Sequence, residues 1–310
     1  MCGTANLTMD ERINLEIPHI GEKVFKNCSD QDLIKFMHVS TTWRELSENV
    51  LVKRWRDRLI EATCSCGFCF DVKDCSCGFC SNDCSCDCCS NEEELFICST
   101  IHNLCLQPNE VIQILCDHPG GNDINWNAKD QYGNTIFMSA CHTGNIDTVK
   151  IMVKSAQNKN IDLNARNFSE WTALMLACYE GFTDIIKLLL DQSDSSIDIN
   201  TKDSDGWDGF MIACSKGRKD IVQLLLDHSD IDLDERDAKG ETAFMSACLS
   251  GRKNVVEILL NQTNRNLDLN ARTNNEDTAC MFACRNGHKE VVKLLLDHSE
   301  RIELNARDIT

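Results

Sequence analysis

The sequence predicts an all-α protein, a solenoid of repeated helix pairs preceded by a small three-helix domain. Three observations carry that expectation. Of the 310 residues three are proline, two tyrosine and 6% aromatic while 42% are hydrophobic, a balance that suits helices better than a β-sandwich. One unit is written five times in the carboxy-terminal half at spacings of 34 to 37 residues, the mark of stacked supersecondary units. Residues 13–61 carry apolar side chains at helical spacing. The length suffices for two domains, or for one elongated array with a small domain attached.

Charge and composition exclude several function classes. The formal net charge is −18, which repels a phosphate backbone at long range, so no nucleic-acid partner is expected. The first twenty residues hold Asp10, Glu11, Arg12 and Glu16 and no apolar core of signal-peptide length. No run of apolar residues is long enough to span a membrane, so a cytoplasmic or nuclear protein is expected. In such a reducing compartment cysteines stay unpaired unless a metal takes them.

After an amino-terminal tail, residues 1–12, the segment 13–61 reads as three short helices. Ile20, Val24 and Phe25 mark the first, and Leu33, Ile34, Phe36, Met37 and Val39 the second, with Asp30 placed to cap it. Trp43, Leu46, Leu51 and Trp55 mark the third. Nine Lys/Arg balance nine Asp/Glu over residues 11–61, so the acidity lies elsewhere. So small a core commonly leans on a partner. Ile17, Pro18, Ile20, Val24, Phe25, Asp32, Leu33, Phe36, Val39 and Trp43 stand at the spacing of the F-box, which this segment resembles. It departs from that pattern at His19, Ser40 and Val52. The resemblance implies docking on a Skp-family adaptor of a cullin-RING ubiquitin ligase through Ile17, Pro18, Ile20, Val24, Phe25, Leu33, Phe36, Val39 and Trp43.

Residues 62–91 form a Cys-rich low-complexity stretch. "CSCGFC" occurs at 64–69 and again at 75–80, followed by "CSCDCC". Its apolar residues, Phe68, Phe70, Val72 and Phe79, are too few to offset the entropy of ordering the segment. Three readings stay open: a flexible linker acting as a hinge, a zinc or copper(I) binder, and a disulfide knot. For metal, Cys64, Cys66, Cys69, Cys75, Cys77, Cys80, Cys84, Cys86, Cys88 and Cys89 offer C-x-C and C-x-x-C thiolate spacings.

Residues 92–129 read as a degenerate capping unit, in which "VIQILC" falls in register with "TVKIMV" of the next copy when Pro108 is set against Asn145. Five full units fill 130–308. Each opens on a capping side chain, Thr135, Thr172, Asp208, Thr242 or Thr278. A first helix bearing Met-x-Ala-Cys follows, ended by Gly144, Gly181, Gly217, Gly251 or Gly287 in a left-handed conformation. The second helix is of the "DIIKLLL" type and leads into a polar return loop such as "IDLNAR". These units resemble the ankyrin repeat, although the family's Thr-Pro-Leu-His opening is replaced. Met138, Met175, Met211, Met245 and Met281 stand where packing must substitute for the histidine's hydrogen bonds. At "NARDIT", where a sixth unit would begin, either the last helix pair is exposed or the chain is truncated.

No catalytic constellation converges. The eight histidines are scattered, and His228 and His298, at the ends of second helices, suit the helix dipole. No phosphate-binding loop and no His-Glu-x-x-His is present. The Cys of each Ala-Cys step reads as a small buried residue. Recognition is the expected activity. The ankyrin resemblance implies a protein substrate held at loop tips and on the concave face by Tyr132, His142, Trp171, Leu176, Tyr179, Trp207, Ile212, Lys216, Leu249, Phe282 and Arg285. For the tip aromatics, local packing is an equal alternative. Together the two resemblances imply the substrate-recognition adaptor of an Skp-cullin-F-box type ubiquitin ligase, itself not an enzyme and needing no cofactor unless the cysteine run takes zinc. The alternative is an ankyrin scaffold unrelated to ubiquitin.

Overall fold

The computed structural model describes residues 28–36, 41–63, 109–191, 197–228, 231–262 and 267–302. Among these residues the regular structure is thirteen α-helices and one 3-10 turn, with no strand. No helix among them is long and apolar enough to cross a membrane. The chain divides into two compact units, Met1–Ser139 with Asp147–Asp162, and Ala140–Ile146 with Leu163–Thr310.

In the first unit, α1 spans Asp30–Phe36 and α2 spans Thr41–Thr63. The third expected F-box helix is thus one long 23-residue helix. Its apolar positions Leu51, Val52 and Trp55 recur one turn apart and are buried, together with Leu33 of α1. The cap of α1 is Ser29 rather than Asp30, its Oγ accepting the Asp32 N–H at 3.2 Å. Asp30, one place inside the helix, is turned to a different task. Its Oδ2 accepts the Trp55 indole N–H at 2.9 Å and Oδ1 pairs with Arg54, tying α1 to α2. Arg54 also donates to the Cys28 carbonyl at 3.0 Å.

The capping unit enters the described residues at α3, Asn109–Asp117, in the register predicted for "VIQILC". Val111, Ile112, Leu115 and Cys116 form its buried stripe. A 3-10 turn over Pro119–Asp123 follows, its first residues held by the His118 ring, whose Nδ1 accepts the Gly120 N–H at 3.0 Å. Trp126, fully buried, donates its indole N–H to the Gly121 carbonyl at 3.0 Å. α4 covers Ile136–Thr143 and α5 covers Ile146–Lys159. Lys159 reaches Asn122 Oδ1 at 2.6 Å and the His118 carbonyl at 3.2 Å, closing the end of α5 onto the turn.

The second unit contains four helix pairs: α6 Ala173–Glu180 with α7 Thr183–Leu190, α8 Gly209–Lys216 with α9 Lys219–Asp227, α10 Ala243–Leu249 with α11 Lys253–Leu260, and α12 Ala279–Arg285 with α13 Lys289–Asp297. Each first helix begins as the sequence requires. Thr172, Thr242 and Thr278 Oγ1 and Asp208 Oδ1 accept the N–H of the methionine three residues on, at 2.7 to 3.4 Å. Met175 does more than pack, since its sulfur accepts the Thr172 N–H at 3.4 Å and completes a capping box usually closed by Glu or Gln. First helices stack in order, α6 on α8, α8 on α10 and α10 on α12. The Ala-Cys step makes this close approach feasible: Ala177, Ala213, Ala247, Cys178, Cys214 and Cys248 are all without solvent exposure.

Glycine at the end of a first helix serves two ends where another helix pair follows. At Gly251 φ is +66°, which favours glycine, and a Cβ there would meet the ring of His288 at 2.5 Å. That ring hydrogen-bonds the Leu249 carbonyl at 2.8 Å. Arg252 donates to the Ser215 carbonyl at 2.7 Å and Arg218 to the Tyr179 carbonyl at 2.9 Å from the same relative place. The residue immediately after the glycine, Arg218, Arg252 or His288, therefore reaches back and ties its unit to the one before.

Candidate protein-binding site

The tips are built by one acceptor per unit that sequence reasoning overlooked. Asp130 Oδ1 accepts the N–H groups of Tyr132 and Asn134, both at 2.8 Å. Asn167, Asp203 and Asp237 do the same for the residues two and four places on, and Thr273 Oγ1 does so at 3.2 and 3.1 Å. The signal was present as Asp, Asn or Thr five residues before each capping residue.

This register separates Tyr132 from the two tryptophans. Tyr132 sits at the apex of its turn and is 53% exposed. Trp171 and Trp207 occupy the place held by Asn134 in the preceding copy, at the foot of the turn. There each indole N–H crosses to the next unit, Trp171 to Asp203 Oδ2 at 3.0 Å and Trp207 to Asp237 Oδ2 at 3.1 Å. One oxygen of each aspartate thus shapes its own turn while the other holds its neighbour. The two tryptophans are half-buried ties between units, and the exposed aromatic that the sequence reading passed over is Phe168, at 59%.

The predicted concave face narrows likewise. Leu176, Ile212 and Phe282 are buried, because their places on the first helix turn into the stack, and they offer a partner little surface. Leu249 is half-buried. His142, Tyr179, Lys216 and Arg285 are exposed. Tyr179 organises this patch: Trp171 meets its ring edge-on with centroids 5.5 Å apart, and the Lys216 ammonium stands 4.1 Å over the ring. His142 Nδ1 lies 3.5 Å from Glu180 Oε1, and Arg285 is bound to Asp277 at 2.6 Å. The arrangement presents an aromatic ring with a cation held on it, on a rigid helical surface, which suits protein recognition.

Electrostatics separates packing groups from surface groups. Burial pushes the thiols of Cys178, Cys214 and Cys248 well above the ordinary range and Cys116 up to about 11, so none is a thiolate nucleophile at neutral pH. Burial also raises the Asp208 carboxyl to about 6, against the opposing hydrogen bond from the Met211 N–H. Glu241, where earlier copies carry Trp, is raised by burial and by Asp237 and Asp277. His298 Nδ1 meets the Leu294 carbonyl at 2.9 Å, in keeping with a helix-terminal role.

Of the expected adaptor-binding residues, Leu33 is fully buried between α1 and α2, a core residue rather than a contact. Phe36 lies on α1 and Trp43 on α2, while Ile17, Pro18, Ile20, Val24, Phe25 and Val39 lie outside the described residues. So do the cysteines from Cys64 to Cys89. Among the described residues no three His, Cys, Asp or Glu side chains are grouped to hold a metal.

Two family models match the chain. The F-box domain model matches residues 16–55, and the model of ankyrin repeats (3 copies) matches residues 101–203, 152–237 and 210–308. No curated protein matches it. Because the ankyrin matches span more than half of the 310 residues, the chain belongs to the ankyrin repeat family, here joined to an amino-terminal F-box domain.

Proposed function

We propose that the chain is the substrate-recognition adaptor of an Skp-cullin-F-box type ubiquitin ligase. One observation carries the reading: a single chain joins an F-box domain at residues 16–55 to an ankyrin array. Both are interaction modules, and the array supplies an exposed Tyr179–Lys216 patch for a protein substrate. The F-box residues hold a Skp-family adaptor, and catalysis belongs to the partner enzymes. The contribution of this chain is proximity, raising the effective concentration of substrate lysines near the charged ubiquitin carrier.

The test is capture of a purified Skp-family adaptor by the full-length chain. Binding should be lost on replacing Ile17 and Ile20 by Asp, while the helical circular dichroism of the array is retained. Leu33→Asp is a poor probe, because it buries a charge in the core of the module. An adaptor that is not captured by the unaltered chain overturns the ligase reading and leaves an ankyrin scaffold.

A further inference from the structure

A solenoid must cover the outward face of its terminal unit, or that unit loses half its packing. α3 shows no such loss. Its four-residue stripe, Val111, Ile112, Leu115 and Cys116, is buried as completely as the matching stripe of α9, Ile221, Val222, Leu225 and Leu226. On α13, at the other end of the described array, Val291 and Leu295 alone are buried and Leu296 is 51% exposed. Something therefore covers α3 that has no equivalent over α13 among the described residues.

We propose that the long F-box helix α2 is the amino-terminal cap of the ankyrin array, so that the module holding the adaptor and the first units of the array fold as one body. α1 and α2 pack on α3, and α2 packs on the 3-10 turn that follows it. A Cβ at Gly120 would stand 3.1 Å from Val52 Cγ1, so Val52 is seated directly on the turn. Arg56 Nη1 lies 3.8 Å from Asp123 Oδ2 at the edge of the same contact. Val52 is also one of the places where the segment departs from the F-box pattern, and its task here accounts for an apolar β-branched residue at that position. Residues 28–63 and 109–128 belong to one compact unit. The segment between Thr63 and Asn109, which carries the cysteine run, therefore leaves and rejoins the same body, and the hinge expected from the sequence has no two separate parts to join. A truncation that removes residues 1–62 removes the cap as well, so loss of partner binding by such a truncation does not distinguish ligase from scaffold.

The inference rests on the F-box reading only for what the module holds. Amide hydrogen exchange on the full-length protein tests it. In Val52→Asp, exchange across residues 109–128 should rise by about tenfold, in step with residues 47–57, while residues 209–260 keep their protection. Val52→Ala, which leaves the Trp55–Asp30 tie intact, should give a smaller rise in the same two stretches together. A rise confined to 47–57, with 109–128 unchanged in both variants, overturns the cap. Adding the Skp-family adaptor to the unaltered protein should slow exchange in 109–128 as well as in 47–57, and slowing in 47–57 alone also overturns it. An adaptor that does not bind sinks the ligase reading, and the two variants still decide the cap.

Discussion

The two ends of the described array differ in what they lean on. At α3 the apolar stripe is complete, and α2, a helix from outside the repeats, packs on it and seats Val52 on the turn that follows. At α12 and α13 the same repeat sequence leaves Cys284 and Leu296 exposed and Met281 half-buried, although Cys248, Leu260 and Met245, their counterparts in the preceding pair, are buried. Nearly identical letters thus take different environments according to what stacks beyond them. In a solenoid the stability of a unit is set by its neighbours as much as by its own residues.

The sharpest probe of this difference is a pair of glycines. A Cβ on Gly121, in the turn beneath α2, would fall 1.8 Å from the Leu115 carbonyl oxygen, so the backbone itself must move. Gly121→Ala should cost about 3 kcal/mol in urea unfolding of the full chain. Gly287, with φ +69° at the far end, has nothing within 4 Å of its Cβ position. Gly287→Ala should cost only the left-handed strain, about 1 kcal/mol. Equal costs would mean that the turn beneath α2 is no more constrained than the last described helix pair.

A second difference lies between the one charged cap, in an interior unit, and the cap of the last pair. Asp208 caps an interior helix from a buried site, whereas Thr278 caps the last pair without charge. Burial raises the folded carboxyl of Asp208 to about 6 from its ordinary value of 3.8. The folded state therefore binds the proton more tightly than the unfolded state. This stabilisation is full below pH 3.8 and is lost as pH rises through 6. Asp208→Thr should flatten that slope and leave the variant about 2 kcal/mol more stable at pH 7 than the parent. Parallel stability curves for the two proteins between pH 4 and 7 would refute it.

Thiol environment separates the interior from the last pair next. Cys248→Ser places a hydroxyl in a fully buried site and should cost about 1.5 kcal/mol, whereas Cys284→Ser on the exposed equivalent should stay within about 0.5 kcal/mol. Native protein should accordingly react with a thiol reagent at Cys284 and not at Cys178, Cys214 or Cys248.

Much of the array was legible because a repeat states its constraints several times over. The capping Thr and Asp residues, the left-handed glycines and the Ala-Cys steps all follow from local chemistry, and each stands where the sequence placed it except that Cys284, in the last unit, is exposed rather than buried. What escaped is non-local. Ser29 displaces Asp30 as the cap of α1 because Asp30 is drawn to Trp55, a residue 25 places away. Leu176, Ile212 and Phe282 look like surface variation along the sequence, yet the stacking of first helices buries them. The packing of α2 on the capping unit had no sequence signal at all, since the cysteine run between them reads as a spacer.

The tryptophan ladder gives the smallest of these effects and the most local. Trp171 and Trp207 each bond the aspartate of the following unit, but the next place in the series is Glu241, which faces Asp277 without an indole N–H to offer. The ladder therefore strengthens two interfaces and stops before the last described pair. Trp171→Phe keeps the ring against Tyr179 and removes only the hydrogen bond, so it should cost about 1 kcal/mol. Asp203→Asn retains an Oδ1 acceptor for the turn and replaces the oxygen that meets the indole. A double-mutant cycle of the two should give a coupling of about 0.5 to 1 kcal/mol. If the costs of the two changes simply add, Trp171 is free to act as a binding anchor rather than a tie, and loss of substrate capture by Trp171→Phe without loss of stability would be the corresponding result.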